Sequence, residues 1–215
     1  MKVEFLDWGR IEYKVALEKQ KELLALRQNN SIPDTFVFCE HDAVITLGRA
    51  KPKEGELPFF APKDIPVVNV ERGGLATYHG PGQLVCYPFV RLAPEKESQF
   101  PGGIVTFIRF LENWMIKVLQ ECDVPAWSIE KKTGVWVGEQ AHPKKIASIG
   151  IAVSHWVSYH GLALNFDTGV APWRAFNPCG LASDLMTDIK IASGKTPSYL
   201  ELKSLFLRNF SSFRG

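Results

Sequence analysis

Between residues 11 and 27 the apolar positions Tyr13, Leu17 and Leu24 recur on one helical face beside Leu23, with charges opposite. That period predicts an amphipathic helix after a short first strand. Runs rich in β-branched and aromatic residues follow at positions 35–39, 43–47, 66–70 and 83–90, separated by Gly, Pro or charge clusters, and they predict strands. A second helix is expected over residues 104–120, where Phe107, Leu111, Trp114 and Val118 recur at three- and four-residue intervals behind Pro101-Gly102-Gly103. Further strands are expected at 134–137, 146–153 and 161–166. A last helix is expected near Pro197, because Ser198 and Glu201 have capping-box spacing. Strands grouped between helices predict an α+β (α/β) fold with a mixed or antiparallel sheet flanked by helices.

Composition narrows the picture. A chain of 215 residues, 46% hydrophobic and 22% charged, fits one globular domain spanning residues 1–215. Its net charge of +2 comes from 25 basic and 23 acidic residues without a concentrated basic stripe, so no nucleic-acid partner is expected. Charges at Lys2, Glu4 and Asp7 break the N-terminal apolar run, which argues against a signal peptide or membrane span and for a cytoplasmic protein. Cys39, Cys86, Cys122 and Cys179 are far apart with no CxxC pair, so neither a zinc site nor a disulfide framework is expected.

Four segments look chemical. Arg72-Gly73-Gly74-Leu75-Ala76-Thr77-Tyr78-His79-Gly80-Pro81-Gly82-Gln83 lies between two predicted strands. It reads either as a long hairpin or as a backbone cradle in which Arg72 and His79 hold a polar head group. Neither GxxxxGK[ST] nor GxGxxG is present, so phosphate cradling is unsupported. Cys39 and Cys86 sit in apolar strands and Cys122 ends a helix, where a free cysteine acts as a small buried hydrophobe. Cys179 differs, since Phe176-Asn177-Pro178-Cys179-Gly180 is a turn that can expose the sulfur to a cleft and start a short helix through Met186. Lys145 stands at the mouth of an apolar strand, where a solvated charge is the commoner explanation, and spacing alone does not pair it with Cys179. His160, before Gly161-Leu162-Ala163-Leu164-Asn165, reads best as a satisfied structural histidine. With His155 five residues away and no HExxH, a metal site is not expected.

Four blocks in this order resemble the lipoyl(octanoyl) transferases, the LipB family: residues 72–83, then Lys145-Ile146-Ala147-Ser148-Ile149-Gly150, then 160–165, then Asn177-Pro178-Cys179-Gly180. The resemblance implies an acyl-thioester nucleophile at Cys179, with Lys145 lowering its pKa and handling protons. It also implies a substrate pocket formed by residues 72–79, by Ser148, Ile149 and Gly150, and by Gly161, Leu162 and Ala163. The fold it implies is that of the biotin and lipoate protein ligases. The implied donor is octanoyl-acyl carrier protein. The implied acceptors are the lipoyl domains of 2-oxoacid dehydrogenase E2 subunits and the glycine cleavage H protein, and no cofactor is needed because a thioester is already activated. The pattern departs at Asp42 and Ile45, where Pro and Tyr are common, and at Ala182-Ser183, where a glycine is usual.

Overall fold

A computed structural model describes residues 2–50, 64–92, 100, 103–174 and 185–210. In chain order its elements are β1 (Val3–Ile11), α1 (Tyr13–Gln28), β2 (Asp34–His41), β3 (Val44–Leu47), β4 (Val67–Asn69), β5 (Ala76–His79), β6 (Gln83–Phe89), α2 (Gly103–Glu121), β7 (Ala126–Ile129), β8 (Lys132–Glu139), β9 (His142–Ser154), β10 (Val157–Asn165), α3 (Ala171–Arg174), α4 (Ile189–Ser193) and α5 (Tyr199–Phe210). Seven strands form one sheet in the order β1-β2-β6-β10-β9-β8-β7, and β4-β3-β5 form a second. The large sheet is mixed: β1 runs parallel to β2 through the α1 crossover, and the remaining pairs are antiparallel. This is the mixed, helix-flanked sheet that the sequence pattern predicts.

Period-two alternation sends the large sheet's side chains to two different partners. Phe36, Phe38, Leu84, Cys86, Leu162 and Leu164 pack against Phe107, Leu111 and Trp114 of α2 and Phe206 and Phe210 of α5. Trp114 is fully buried, meets Phe206 edge-on at 4.9 Å between centroids, and donates from Nε1 to the Phe206 carbonyl at 2.9 Å. On the opposite face Val37, Cys39, Val85, Tyr87 and Ala163 meet Leu23 and Leu24 of α1. The α5 capping box forms as expected, with Ser198 N donating to Glu201 Oε2 at 2.7 Å and Glu201 N to Ser198 Oγ at 3.3 Å. Among the described residues no helix is long and apolar enough to cross a membrane.

The structure corrects several expectations. The buried side of α1 is partly polar: Gln20 and Arg27 are buried with Tyr13 and Ala16, while Leu17, Leu23 and Leu24 are only partly covered. Arg27 is held inside because its Nε donates to Asp34 Oδ1 at 2.8 Å. β5 lies within the glycine-rich stretch expected to join two strands, and β7, α3 and α4 are additional. Lys145 is not at a strand mouth, since β9 begins three residues earlier at His142.

Candidate functional site

A narrow cleft of ≈ 50 Å³ opens on the α1 face of the large sheet. Its walls are Arg72, Gly73, Gly74, Thr77 and His79 from the glycine-rich stretch, Lys145, Ser148, Ile149 and Gly150 from β9, and Gly161, Leu162 and Ala163 from β10. Tyr13, Val85, Tyr87 and His160 complete it. The structure thus brings together most of the residues that the sequence blocks single out. Ala76 and Tyr78 are the exceptions, because alternation along β5 turns them to the other side, against Ile45 and Trp173, while Thr77 and His79 face the cleft. Leu75 is outside the lining as well; its carbonyl accepts from Gly48 N at 3.2 Å.

The glycine-rich stretch sits directly on β9. Gly73 N donates to the Ile151 carbonyl at 3.0 Å, and a Cβ on Gly150 would lie 3.1 Å from Arg72 Cδ and 3.2 Å from Gly73 O. Glycine at 150 therefore permits the contact. Arg72 is buried and fixes the stretch to β3, with Nη2 donating to the Thr46 carbonyl at 2.7 Å and Nε to Thr46 Oγ1 at 3.1 Å.

A buried polar network forms the floor. His41 Nδ1 lies 2.9 Å from the Ile11 carbonyl, which only accepts, so Nδ1 carries the proton and Nε2 accepts from the Tyr87 hydroxyl at 2.7 Å. Gln83 Nε2 donates to the Tyr78 carbonyl at 3.2 Å and to Asn165 Oδ1 at 2.8 Å, so its Oε1 accepts from His79 Nδ1 at 2.7 Å. The imidazole nitrogen Nε2 of His79 is then the unprotonated one. Burial is the largest cause holding both rings neutral, with the His41 pKa lowered to about 4 and that of His79 to about 3. The network continues: Asn165 Nδ2 donates to the Thr187 carbonyl at 3.0 Å, and Thr187 N to the Lys145 carbonyl at 3.0 Å.

Lys145 is 6% exposed, with Nζ 5.6 Å from the centroid of the Trp136 ring. The reading of a solvated charge is thereby corrected, because an inward-facing position in β9 buries the stem. Gly134, at φ +124, makes room for it: a Cβ there would lie 2.6 Å from Lys145 Cε and 2.6 Å from the Ala147 carbonyl. Burial pushes the Cys39 and Cys86 thiols well up and raises that of Cys122, which leaves them poor nucleophiles. Cys179 and its neighbours Asn177, Pro178 and Gly180 lie outside the described residues, as does most of the short helix expected through Met186. On either side of that segment, Trp173 and Met186 share one apolar cluster with Ile45 and Tyr78, and Met186 bridges to Lys145.

Sequence reasoning misses Tyr13, His41, Tyr87 and Gly134 as parts of this region. A polar residue such as Tyr87 inside the otherwise apolar run 83–90 is the available signal, but pairing it with His41 needs the sheet register. His160 is the other correction. It is 2% exposed at φ +55, and among the described residues neither ring nitrogen has a hydrogen-bond partner, so it is not the satisfied histidine expected. Among the described residues no group of three or more His, Cys, Asp or Glu side chains is placed to hold a metal ion.

The profile of the lipoyl protein ligase A/B catalytic domain matches residues 12–211. An octanoyltransferase of Syntrophobacter fumaroxidans is 40% identical over 209 residues, covering 94% of this chain and 86% of its own. In three dimensions the chain is similar to a bipartite lipoate protein ligase from Thermoplasma acidophilum, with a TM-score of 0.70 at 17% identity over 99% of this chain and 83% of that one. It is also similar to the biotin protein ligase of Aquifex aeolicus, with a TM-score of 0.51 at 13% identity over 99% and 68%. The fold shared with biotin and lipoate ligases is thus the one the sequence blocks imply.

Proposed function

The chain belongs to the lipoyl protein ligase A/B catalytic family and, within it, to the octanoyltransferases, and from that premise we propose that it is a cytoplasmic enzyme transferring octanoyl groups in protein lipoylation. The donor is octanoyl-acyl carrier protein. The acceptor is a specific lysine of a lipoyl domain, in 2-oxoacid dehydrogenase E2 subunits or the glycine cleavage H protein, and the acyl group passes through a thioester on Cys179. Residues 1–215 act as one catalytic domain, with the cleft as the acyl site.

The observation that carries this reading is the placement of Lys145, buried at one end of the cleft and bridged to Met186, seven residues beyond Cys179. In the first half-reaction the Cys179 thiolate attacks the donor carbonyl. A carbon–sulfur bond forms, the tetrahedral oxyanion is held by backbone N–H groups, and the donor's carbon–sulfur bond breaks. The departing thiolate takes a proton from the Lys145 ammonium. In the second half the neutral acceptor amine attacks, a carbon–nitrogen bond forms, Cys179 leaves as thiolate, and Lys145 receives the amine proton. Thioester exchange is nearly balanced and amide formation runs downhill, so no nucleotide is required. The Trp136 face favours the ammonium that the first half uses. An apolar slot for about six methylenes contributes on the order of 5 kcal/mol at about 0.8 each.

The test is intact mass after incubation with octanoyl-carrier protein. One octanoyl mass is expected, removable by hydroxylamine, absent in Cys179→Ala and retained in Cys39→Ala and Cys86→Ala. Adding apo lipoyl domain without ATP should move the mass to that domain. The shared fold makes an ATP-dependent ligase the rival. Product that forms only from free octanoate and ATP, or labelling that survives Cys179→Ala, would overturn the proposal. A donor restricted to octanoylated lipoyl domains would instead indicate an amidotransferase.

A further inference from the structure

His160 holds a left-handed backbone, φ +55, that a bulky side chain seldom adopts without compensation. Its ring is buried, and neither nitrogen has a hydrogen-bond partner among the described residues; Glu71 Oε2 is 3.7 Å from Nε2, beyond hydrogen-bond reach. Gln20 of α1, fully buried, accepts from His160 N through Oε1 at 3.1 Å, which fixes its amide orientation and leaves its Nε2 likewise buried without a partner among the described residues. Unmet buried polar groups cost free energy, so the His160 ring, which lines the cleft with the Gln20 amide behind it, points to a ligand.

The register says which end of the cleft this is. His160 pairs with Ile151 on β9, six residues from Lys145 and so about 20 Å along the strands. Resting on the acyl-cleft reading above, we infer that His160, backed by Gln20, forms a polar terminus taking a hydroxyl on the far end of a medium-chain acyl group, so that ω-hydroxyoctanoyl is a substrate as well as octanoyl. A hydroxyl both donates and accepts, as a neutral imidazole beside an amide N–H requires.

The test loads the full chain from carrier-protein thioesters of octanoate and 8-hydroxyoctanoate, comparing kcat/KM within each variant. In the parent, the hydroxy chain should run within about tenfold of octanoyl. Gln20→Met removes the amide at similar volume, and His160→Asn keeps the left-handed backbone but withdraws the ring. Each should lower the hydroxy-to-octanoyl ratio at least about tenfold, a ratio that loss of folded protein does not move. An unchanged ratio in both variants, or a hydroxy chain a hundredfold poorer than octanoyl in the parent, overturns the inference. Absence of loading from every thioester overturns the acyl-transfer reading instead, and this inference with it.

Discussion

The two faces of the large sheet are built from the same strands and do opposite work. Against α2 and α5 the contacts are aromatic and aliphatic, with Phe36, Phe38, Trp114, Phe206 and Phe210 interlocked. Against α1 and the small sheet, His41, Gln83 and Lys145 of the same strands are buried together with Arg72 and His79 of the glycine-rich stretch. The first face holds the fold together by removing apolar area from water. The second adds to its own apolar cluster a set of groups that are costly to bury and are tolerated because most of them are hydrogen-bonded. Substitutions that separate stability from chemistry can therefore be assigned to a face in advance.

The largest expected effect belongs to the apolar face. Trp114→Ala should cost about 3–5 kcal/mol in chemical denaturation while leaving specific activity per folded molecule intact. Loss of activity beyond the loss of folded protein would break the comparison. On the cleft face, Lys145→Met should lower acyl transfer about a hundredfold or more, and should move iodoacetamide alkylation of Cys179 toward the ordinary thiol pKa near 8.5. Lys144→Met should do neither. Equal alkylation profiles in both variants from pH 5 to 10 would return Lys145 to a purely structural role.

A smaller effect tests the floor. Asn165→Leu takes one of two acceptors from Gln83 Nε2 and removes the side-chain donor to the Thr187 carbonyl, with an expected cost of about 1–3 kcal/mol. It should also lower kcat more than it raises KM, since it loosens the strand that carries Lys145. The smallest effect concerns protons. His41, His79 and His160 are held neutral with pKa values of about 4, 3 and 4, below the ordinary 6.5, with burial as the largest cause. For a depressed pKa the stabilising contribution is complete above 6.5 and is lost as pH falls through the folded value, because the unfolded chain binds the proton first. Stability should therefore decline from pH 6.5 toward 4. His41→Gln should flatten that decline by one proton, at most about 1.4 kcal/mol per pH unit. Identical slopes for parent and variant would show that His41 is not held neutral.

The apolar face was legible in the sequence because its signals are periodic: Phe107, Leu111, Trp114 and Val118 mark α2, and the Ser198–Glu201 box marks the start of α5. The cleft face was legible as segments and not as a geometry. β5 hides in a glycine-rich stretch because all four of its residues are buried, so no alternation shows. Lys145 looks solvated on spacing alone, since its burial depends on the missing Cβ at Gly134, eleven residues away and on the neighbouring strand. His160 carries no local mark of its left-handed backbone. Four blocks matching a family pattern supplied what periodicity does not.

The chain of amides under the cleft has a direction. Each of Gln83 and Asn165 presents its oxygen toward His79 and its nitrogen toward Thr187, so donors and acceptors run one way from the imidazole to the Lys145 carbonyl. Turning one amide over would set oxygen against oxygen at one neighbour and nitrogen against nitrogen at the other. Because the backbone groups of Tyr78 and Thr187 cannot reverse, the orientation is a single all-or-none choice, and the tautomer of His79 is decided together with the seating of the strand beside Lys145. Information about a proton on one wall is thus tied to the position of another wall with no side chain touching both.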